Sequence, residues 1–509
     1  MRQDQRGAGA VSASRKGRLR DARRFSLVPE FYLARSVRLL RAWGALVGTN
    51  VERGYPLRTV PRLWLSSRVA GITLLLVVGS VPVGGSHWGG RVTIDALSVG
   101  AKVLLTGATT RSLWGRRSTV VKERRTSFEY PLLRLYSLLG RRLLVSATDL
   151  LRFYLALELQ SLCLYVLAAF RRGSSYSTEA GLKYFVLGAF ASGLYLFGCS
   201  LVYGARGTTQ YESIGRLLRR GGEHSRVLAG FALRVAAVLF KRSAAPYHRW
   251  APDVREGSPT PSSRFFGAVT KVAAVGGLLR WCYGPFQGLR GERVPRLAVV
   301  ARLSRVVGAL GALRQRRWKR FLAYSTVGHR GYLLRGRTAA TVEGLQGRLL
   351  YRAVYVRRSV SVWTTRRALR SEEVGGETKP VVYWSELVGL GTTNPGVART
   401  LAVGLLSRAG VPPRAGFRAK ARVFRAARNA GLRGLSLVAV ASAVVGAYYY
   451  LRVLKVRYFE PVRVERHWVT VPQLSSVVRV VSLVPTALRR TYPQPRLVRT
   501  HYVAVRTAS

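Results

Sequence analysis

Four ionisable side chains sit in stretches that otherwise read as apolar helix. Glu158 lies within Leu155-Ala-Leu-Glu-Leu-Gln and Lys241 ends the run Ala236-Ala-Val-Leu-Phe. Lys271 opens Val272-Ala-Ala-Val-Gly-Gly-Leu-Leu, and Lys420 follows Ala415-Gly-Phe-Arg-Ala. A charge at the bilayer centre costs several kcal/mol unless it lines a polar path, so each is a candidate functional residue. The chemistry open to a carboxylate and an amine there is proton exchange. Burial lowers the proton affinity of an amine and a nearby carboxylate raises it, so small shifts in a Glu–Lys pair load or release a proton. The competing reading places these residues at helix ends, snorkelling to the headgroups.

Proline placement sharpens the first reading. Pro246 follows Lys241 by five residues, and Pro412 and Pro413 precede Lys420 by a similar reach. Proline removes a backbone donor and breaks a helix. Broken helices at membrane depth line wet cavities, and transporters built from inverted repeats use a pair of them in corresponding positions.

The elements that must position these residues are membrane helices, which need about 20 apolar residues each. Three windows carry no charge: Val69 to Gly90, Tyr184 to Ala205, and Gly434 to Leu451, the last ending in interface-suited tyrosines. Weaker windows interrupted by charge cover 27–47, 93–108, 131–147, 151–170, 226–241, 265–282, 296–313, 319–335, 344–362, 397–411 and 474–488. Together they predict about 12 to 14 spans. Met1 to Arg24 is basic, Ser-containing and poor in acids, the composition of a transit peptide or a basic extension.

The formal charge of +62, from 84 basic and 22 acidic residues, suggests a polyanion binder. The distribution argues otherwise, because Arg234, Arg335, Arg348, Arg399, Arg408 and Arg414 are scattered singly through apolar segments and form no stripe or tail. Cys163, Cys199 and Cys282 have no metal or redox spacing, and no phosphate-cradling loop or dinucleotide fingerprint is present.

One long motif brings a resemblance. Phe240-Lys-Arg-Ser-Ala-Ala-Pro-Tyr-His-Arg-Trp-Ala-Pro-Asp-Val-Arg-Glu-Gly-Ser-Pro-Thr-Pro resembles the signature of the NADH dehydrogenase subunit 2 family, among the antiporter-like proteins of complex I. Ala156-Leu-Glu-Leu-Gln-Ser-Leu, Glu179-Ala-Gly-Leu-Lys-Tyr-Phe, Lys319-Arg-Phe-Leu-Ala-Tyr-Ser-Thr-Val-Gly-His, Leu390-Gly-Thr-Thr-Asn-Pro and Ala409-Gly-Val-Pro-Pro-Arg-Ala-Gly-Phe match in the expected order. The likeness runs over about residues 25–460. It implies that Glu158 and Lys241 form a coupling pair, that Lys183 lies on the next helix, and that His248, Lys271 and Lys420 continue a polar axis. It also implies a relay or hydrogen-bonding role for His329. Quinone reduction elsewhere in the complex would drive this axis. NADH, FMN, iron-sulfur clusters and ubiquinone would be bound by other subunits, with no cofactor or metal in this chain.

The chain departs from that pattern by carrying arginine where the family carries an apolar or aromatic residue: Arg242, Arg249 and Arg255 in the long motif, then Arg330, Arg335, Arg414, Arg418 and Arg422. Its only methionine is Met1. Both departures suggest one cause, that some arginine codons are decoded as an apolar residue in the organelle or are edited in the transcript; the rival reading is a genuine Arg-rich pump. The inflated basic count leaves the positive-inside rule without an orientation to assign.

The resulting expectation is an all-α polytopic membrane protein. Residues 1–24 form the basic extension and 25–147 the N-terminal helices. Two inverted-topology five-helix bundles follow at 148–282 and 296–460, each with one Pro-broken helix, and 461–509 holds a C-terminal helix and tail. The expected role is proton translocation in NADH:ubiquinone oxidoreductase of the mitochondrial inner membrane, among other membrane-arm subunits and lipid, with no nucleic acid. The alternatives are a cation/proton antiporter subunit, a plastid homologue, and a soluble Arg-rich nucleic-acid-binding protein.

Overall fold

A computed structural model describes residues 27–48, 59–80, 86–87, 92–114, 129–219, 224–283, 285–338, 341–372, 378–461 and 467–468, with isolated positions 476–477, 480–481 and 500. The extension at 1–24 and most of the tail at 461–509 lie outside the described residues. The N-terminal helices are α1 (Val28–Gly48), α2 (Thr59–Gly79), α3 (Ala96–Trp114) and α4 (Glu129–Ser146). Next come α5 (Leu150–Ala168), α6 (Ser175–Arg206), α7 (Tyr211–Arg219), α8 (His224–Lys241), α9 (Trp250–Gly257), α10 (Thr260–Ala268) and α11 (Thr270–Tyr283). The remainder is α12 (Arg290–Leu313), α13 (Trp318–Thr338), α14 (Val342–Ala368), α15 (Leu390–Thr393), α16 (Pro395–Ala409), α17 (Ala415–Asn429) and α18 (Arg433–Phe459). Among the described residues, strands are confined to an antiparallel pair, Ser86–His87 with Val92–Thr93, and a small sheet in which Arg370–Glu372 lies between Thr378–Pro380 and His467–Trp468.

Local signals set the helix ends. Asp149 caps α5 by accepting from the Leu151 amide at 2.8 Å, and Thr341 caps α14 by accepting from the Gly344 amide at 3.1 Å. Gly207, in the left-handed region, ends the long α6. The uncharged window 69–90 is not one helix. α2 begins ten residues earlier and stops at Gly79, where a run rich in Gly and Pro leads to the first strand.

α5, α6 and α18 are long and apolar enough to cross a membrane. Their outward faces are apolar as well. Leu155 is 64% exposed, Phe190 64% and Leu437 73%, while polar groups such as Ser161, Ser192 and Ser442 turn inward. Apolar faces of that extent suit hydrocarbon, not water. Inside, helices approach closely where side chains vanish. Gly198 of α6 and Gly230 of α8 face each other, and a Cβ on either would lie 2.7 Å from the other's carbonyl oxygen.

Candidate functional site: buried charges at two helix breaks

The first break separates α8 from α9. Pro246 lacks an amide hydrogen, Ser243 has φ of 46°, and the helix ends at Lys241. The Phe240 carbonyl accepts from the Ser243 amide at 2.7 Å and from the indole of Trp250 at 3.2 Å. The close packing of α8 on α6 then carries the Lys241 ammonium into a cage between α5 and α6. It lies 2.8 Å from Glu158 Oε1, 2.7 Å from Ser192 Oγ and 3.3 Å from Ser161 Oγ. Ser161 donates to Glu158 Oε2 at 3.0 Å, and Ser192 donates to Oε1. Glu158 and Lys241 are thus one hydrogen-bonded unit of carboxylate, ammonium and two hydroxyls. Its side chains are 20% and 7% exposed.

The second break separates α16 from α17 at residues 410–414. Gly410 has φ of 89°, a conformation that favours glycine, and its amide closes on the Leu406 carbonyl at 3.0 Å. Lys420 lies on the far side of the break, is buried, and reaches back to donate to the Ala409 carbonyl, the last of α16. The negative end of the α16 dipole therefore faces an ammonium. Tyr332 offers its ring to the same ammonium at 5.2 Å. His329 shares this small cavity, with Nδ1 2.7 Å from the Tyr351 hydroxyl and Nε2 3.4 Å from the Tyr450 hydroxyl.

The remaining sequence candidates fall in different places. His248 lies within the first break, half-buried, its Nδ1 3.2 Å from the Pro246 carbonyl and its ring beside Tyr324. Pro246 and the pair Pro412 and Pro413 sit within the two breaks. Lys183 is not brought to Glu158. It points outward with its side chain 48% exposed and pairs with Glu179 one turn earlier on α6. Lys271 belongs to α11, and its side chain lies outside the described residues. Sequence reasoning missed Ser161, Ser192, Tyr351 and Tyr450. Ser161 stood within a quoted motif, but helical hydroxyls usually bond their own backbone, so their type alone carries no signal.

Between the two breaks, Arg242, Arg255 and Arg330 converge with Lys241, Tyr184, Trp250 and Phe266 on a cavity of about 20 Å³, room for one water. Among the described residues no carboxylate lines it. Among the described residues no three His, Cys, Asp or Glu side chains gather as a metal site would require. Cys163, Cys199 and Cys282 are buried.

A helical membrane bundle that holds a carboxylate–lysine pair at one helix break and a lysine–histidine cluster at another has the build of an ion-translocating protein. The chain belongs to the NADH:quinone oxidoreductase/Mrp antiporter transmembrane family, whose model matches residues 147–446. It is 43% identical to NADH-quinone oxidoreductase subunit N of Rhodospirillum rubrum over 340 residues, covering 67% of this chain and 69% of that protein. It is 35% identical to NADH-ubiquinone oxidoreductase chain 2 of Marchantia polymorpha over 487 residues, covering 94% and 98%. Among solved structures, a chain of respiratory complex I from Thermus thermophilus aligns with a TM-score of 0.76 and 30% identity, covering 92% of this chain and 98% of that one. A chain of the Mrp complex from Dietzia shares the fold with a TM-score of 0.78 at 20% identity.

Proposed function

We propose that the chain is a proton-translocating membrane-arm subunit of NADH:ubiquinone oxidoreductase, complex I, in the mitochondrial inner membrane. The observation that carries this reading is the half-buried Glu158–Lys241 contact of 2.8 Å at the α8–α9 break. Relatives above 30% identity such as the Rhodospirillum rubrum and Marchantia polymorpha proteins, both named as parts of NADH oxidoreductases, support the complex. The organelle rests on the acid-poor, basic composition of Met1 to Arg24 and on the arginine pattern.

In this reading the chain has two antiporter-like bundles, 148–282 and 296–460, of inverted topology, within about 12 to 14 spans in all. Each contains one broken helix. The chain itself holds no redox group. NADH, FMN, iron-sulfur clusters and ubiquinone belong to other subunits, and quinone reduction there displaces charge along the membrane arm.

The residues of this chain then do the following work. With Glu158 ionised, Lys241 holds its proton through the carboxylate and two hydroxyls. Drawing Glu158 away removes the counter-charge, and the ammonium, still desolvated, gives up a proton toward the wet break that holds His248. Lys271 carries the axis onward to His329 and Lys420. Lys183, paired with Glu179 on the outer face of α6, stands outside the Glu158–Lys241 unit.

Glu158→Gln and Lys241→Ala each abolish proton transfer through this module while the complex still assembles. The measurement is acidification of proteoliposomes by the reconstituted complex on NADH addition. Wild-type pumping in both variants would sink the proposal.

A further inference from the structure

A second buried acid–amine pair lies away from both breaks, among the N-terminal helices. Glu30 of α1 is 8% exposed and Lys102 of α3 is 3% exposed, with the ammonium 3.0 Å from Glu30 Oε1. Arg142 of α4 reaches the same oxygen from Nη2 at 2.8 Å and from Nε at 3.3 Å. Glu30 Oε2 is buried without a hydrogen-bond partner, so the carboxyl has an unused oxygen inside the bundle. A site built only to clamp three helices would use both oxygens, because an unsatisfied buried oxygen costs stability.

Lys102 also belongs to a polar stripe. Ser98, Lys102, Thr106 and Thr110 follow one another at intervals of four residues along α3, and all are buried. That spacing places them on one face, roughly 6 Å apart along the axis, and the hydroxyls of Ser98, Thr106 and Thr110 each donate to a carbonyl one turn earlier, which leaves their oxygens free to accept. The stripe begins at Asp95, which is half-buried and accepts from the Ser98 amide at 2.9 Å. α3 packs against α2 and α4 on one side and against α10, α11 and α14 on another, so the stripe is interior to the molecule.

We propose that Glu30 and Lys102 form a second proton-exchanging pair in this subunit, supplied from the Asp95 end along the hydroxyl stripe of α3. The step balances without a further reactant. One N–H bond of the Lys102 ammonium breaks, one O–H bond forms on Glu30, and an ion pair becomes a neutral amine and a carboxylic acid. Arg142 keeps its charge throughout. The pair reaches the main axis through α4. Gly140 of α4 lies so close to α5 that a Cβ there would stand 3.0 Å from the Ala156 carbonyl oxygen and 2.9 Å from the Gln160 amide nitrogen, the residues two before and two after Glu158. A charge change at Glu30 thus acts on the helix that carries Glu158. This inference rests on the proton-translocating function proposed above.

The test uses the whole complex reconstituted in proteoliposomes, with Glu30→Gln, Thr106→Val and Glu158→Gln side by side. The readouts are NADH oxidation and protons translocated per electron, with a redox-induced infrared difference spectrum of each. The expected result is a loss of protons per electron in Glu30→Gln and Thr106→Val at unchanged NADH oxidation. A carboxylic-acid band in the wild-type spectrum disappears in Glu30→Gln. Wild-type proton yield in Glu30→Gln overturns the proposal. So does failed assembly of Glu30→Gln together with wild-type yield in Thr106→Val, which would make the pair a structural clamp. Wild-type yield in Glu158→Gln instead removes the function on which the inference stands.

Discussion

Ser192 is the side chain on which the Glu158–Lys241 unit turns, because its hydroxyl meets both charges. It accepts from the ammonium at 2.7 Å and donates to the carboxylate. Hydrogen bonds to charged groups contribute about 1.5–3 kcal/mol, and about 1.4 kcal/mol is tenfold in rate. Ser192→Ala therefore slows proton transfer at this pair by about tenfold or more, with assembly intact, since alanine fits the same space. Stopped-flow records of dye acidification in proteoliposomes check it. A rate within twofold of wild type would show the hydroxyl to be a bystander. Removing a charged partner is harsher than removing the hydroxyl. Lys241→Ala leaves the Glu158 carboxylate uncompensated, a change of about 3–5 kcal/mol in buried pairs. Lower thermal stability than Glu158→Gln is expected on that ground, read as the unfolding midpoint of the purified complex.

At the level of elements, hydropathy made most long helices legible and the contacts between them illegible. The windows at 131–147, 151–170 and 344–362 fall on α4, α5 and α14 because apolar residues recur through each despite the arginines, although of the three only α5 is long and apolar enough to cross a membrane. α17 was not read as a span. Arg418, Arg422, Arg425 and Arg428 dilute its hydropathy, although Lys420 on its buried face is central to the second break. Both breaks were visible as proline beside lysine, whereas the Glu158–Lys241 contact joins residues 83 apart, a distance no local pattern reports. The second break also depends on Gly410, whose φ of 89° costs a β-carbon residue roughly 1–2 kcal/mol. A Cβ there would stand 2.9 Å from Lys420 Nζ. Gly410→Val should lower stability by about 2 kcal/mol or more and push the ammonium off the Ala409 carbonyl. Gly396→Ala, with open space around the added carbon, is the neutral comparison. Equal unfolding midpoints for the two variants would contradict this account of the break.

Over the whole molecule the charge balance is the feature that a membrane protein should not tolerate. Arg134, Arg141, Arg234, Arg330, Arg358 and Arg408 are each 3% exposed or less. Insertion of arginine at a helix centre costs about 2.5–3.5 kcal/mol, so six would cost roughly 15–20 kcal/mol against a folding stability of about 5–15 kcal/mol. Arg408 is the sharpest case, because none of its guanidinium nitrogens has a hydrogen-bond partner and it stands beside His329 and Lys420 in the second cavity. With 22 acids in the chain, pairing cannot neutralise 84 bases. The lysines behave differently: Lys102 and Lys241 each meet a carboxylate, and Lys420 meets a helix end. Lysine is thus placed as chemistry requires, while the six arginines just named, unlike Arg142 beside Glu30, occupy positions that packing would give to an apolar side chain. The expected outcome of peptide mass spectrometry on the native protein, across residues 240–264 and 408–425, is therefore an apolar residue mass at positions 242, 255 and 408 and a lysine mass at 241 and 420. Arginine masses at those three positions would mean that the interior holds uncompensated guanidinium groups. The proton path would then have to run through a field of fixed positive charge that repels it.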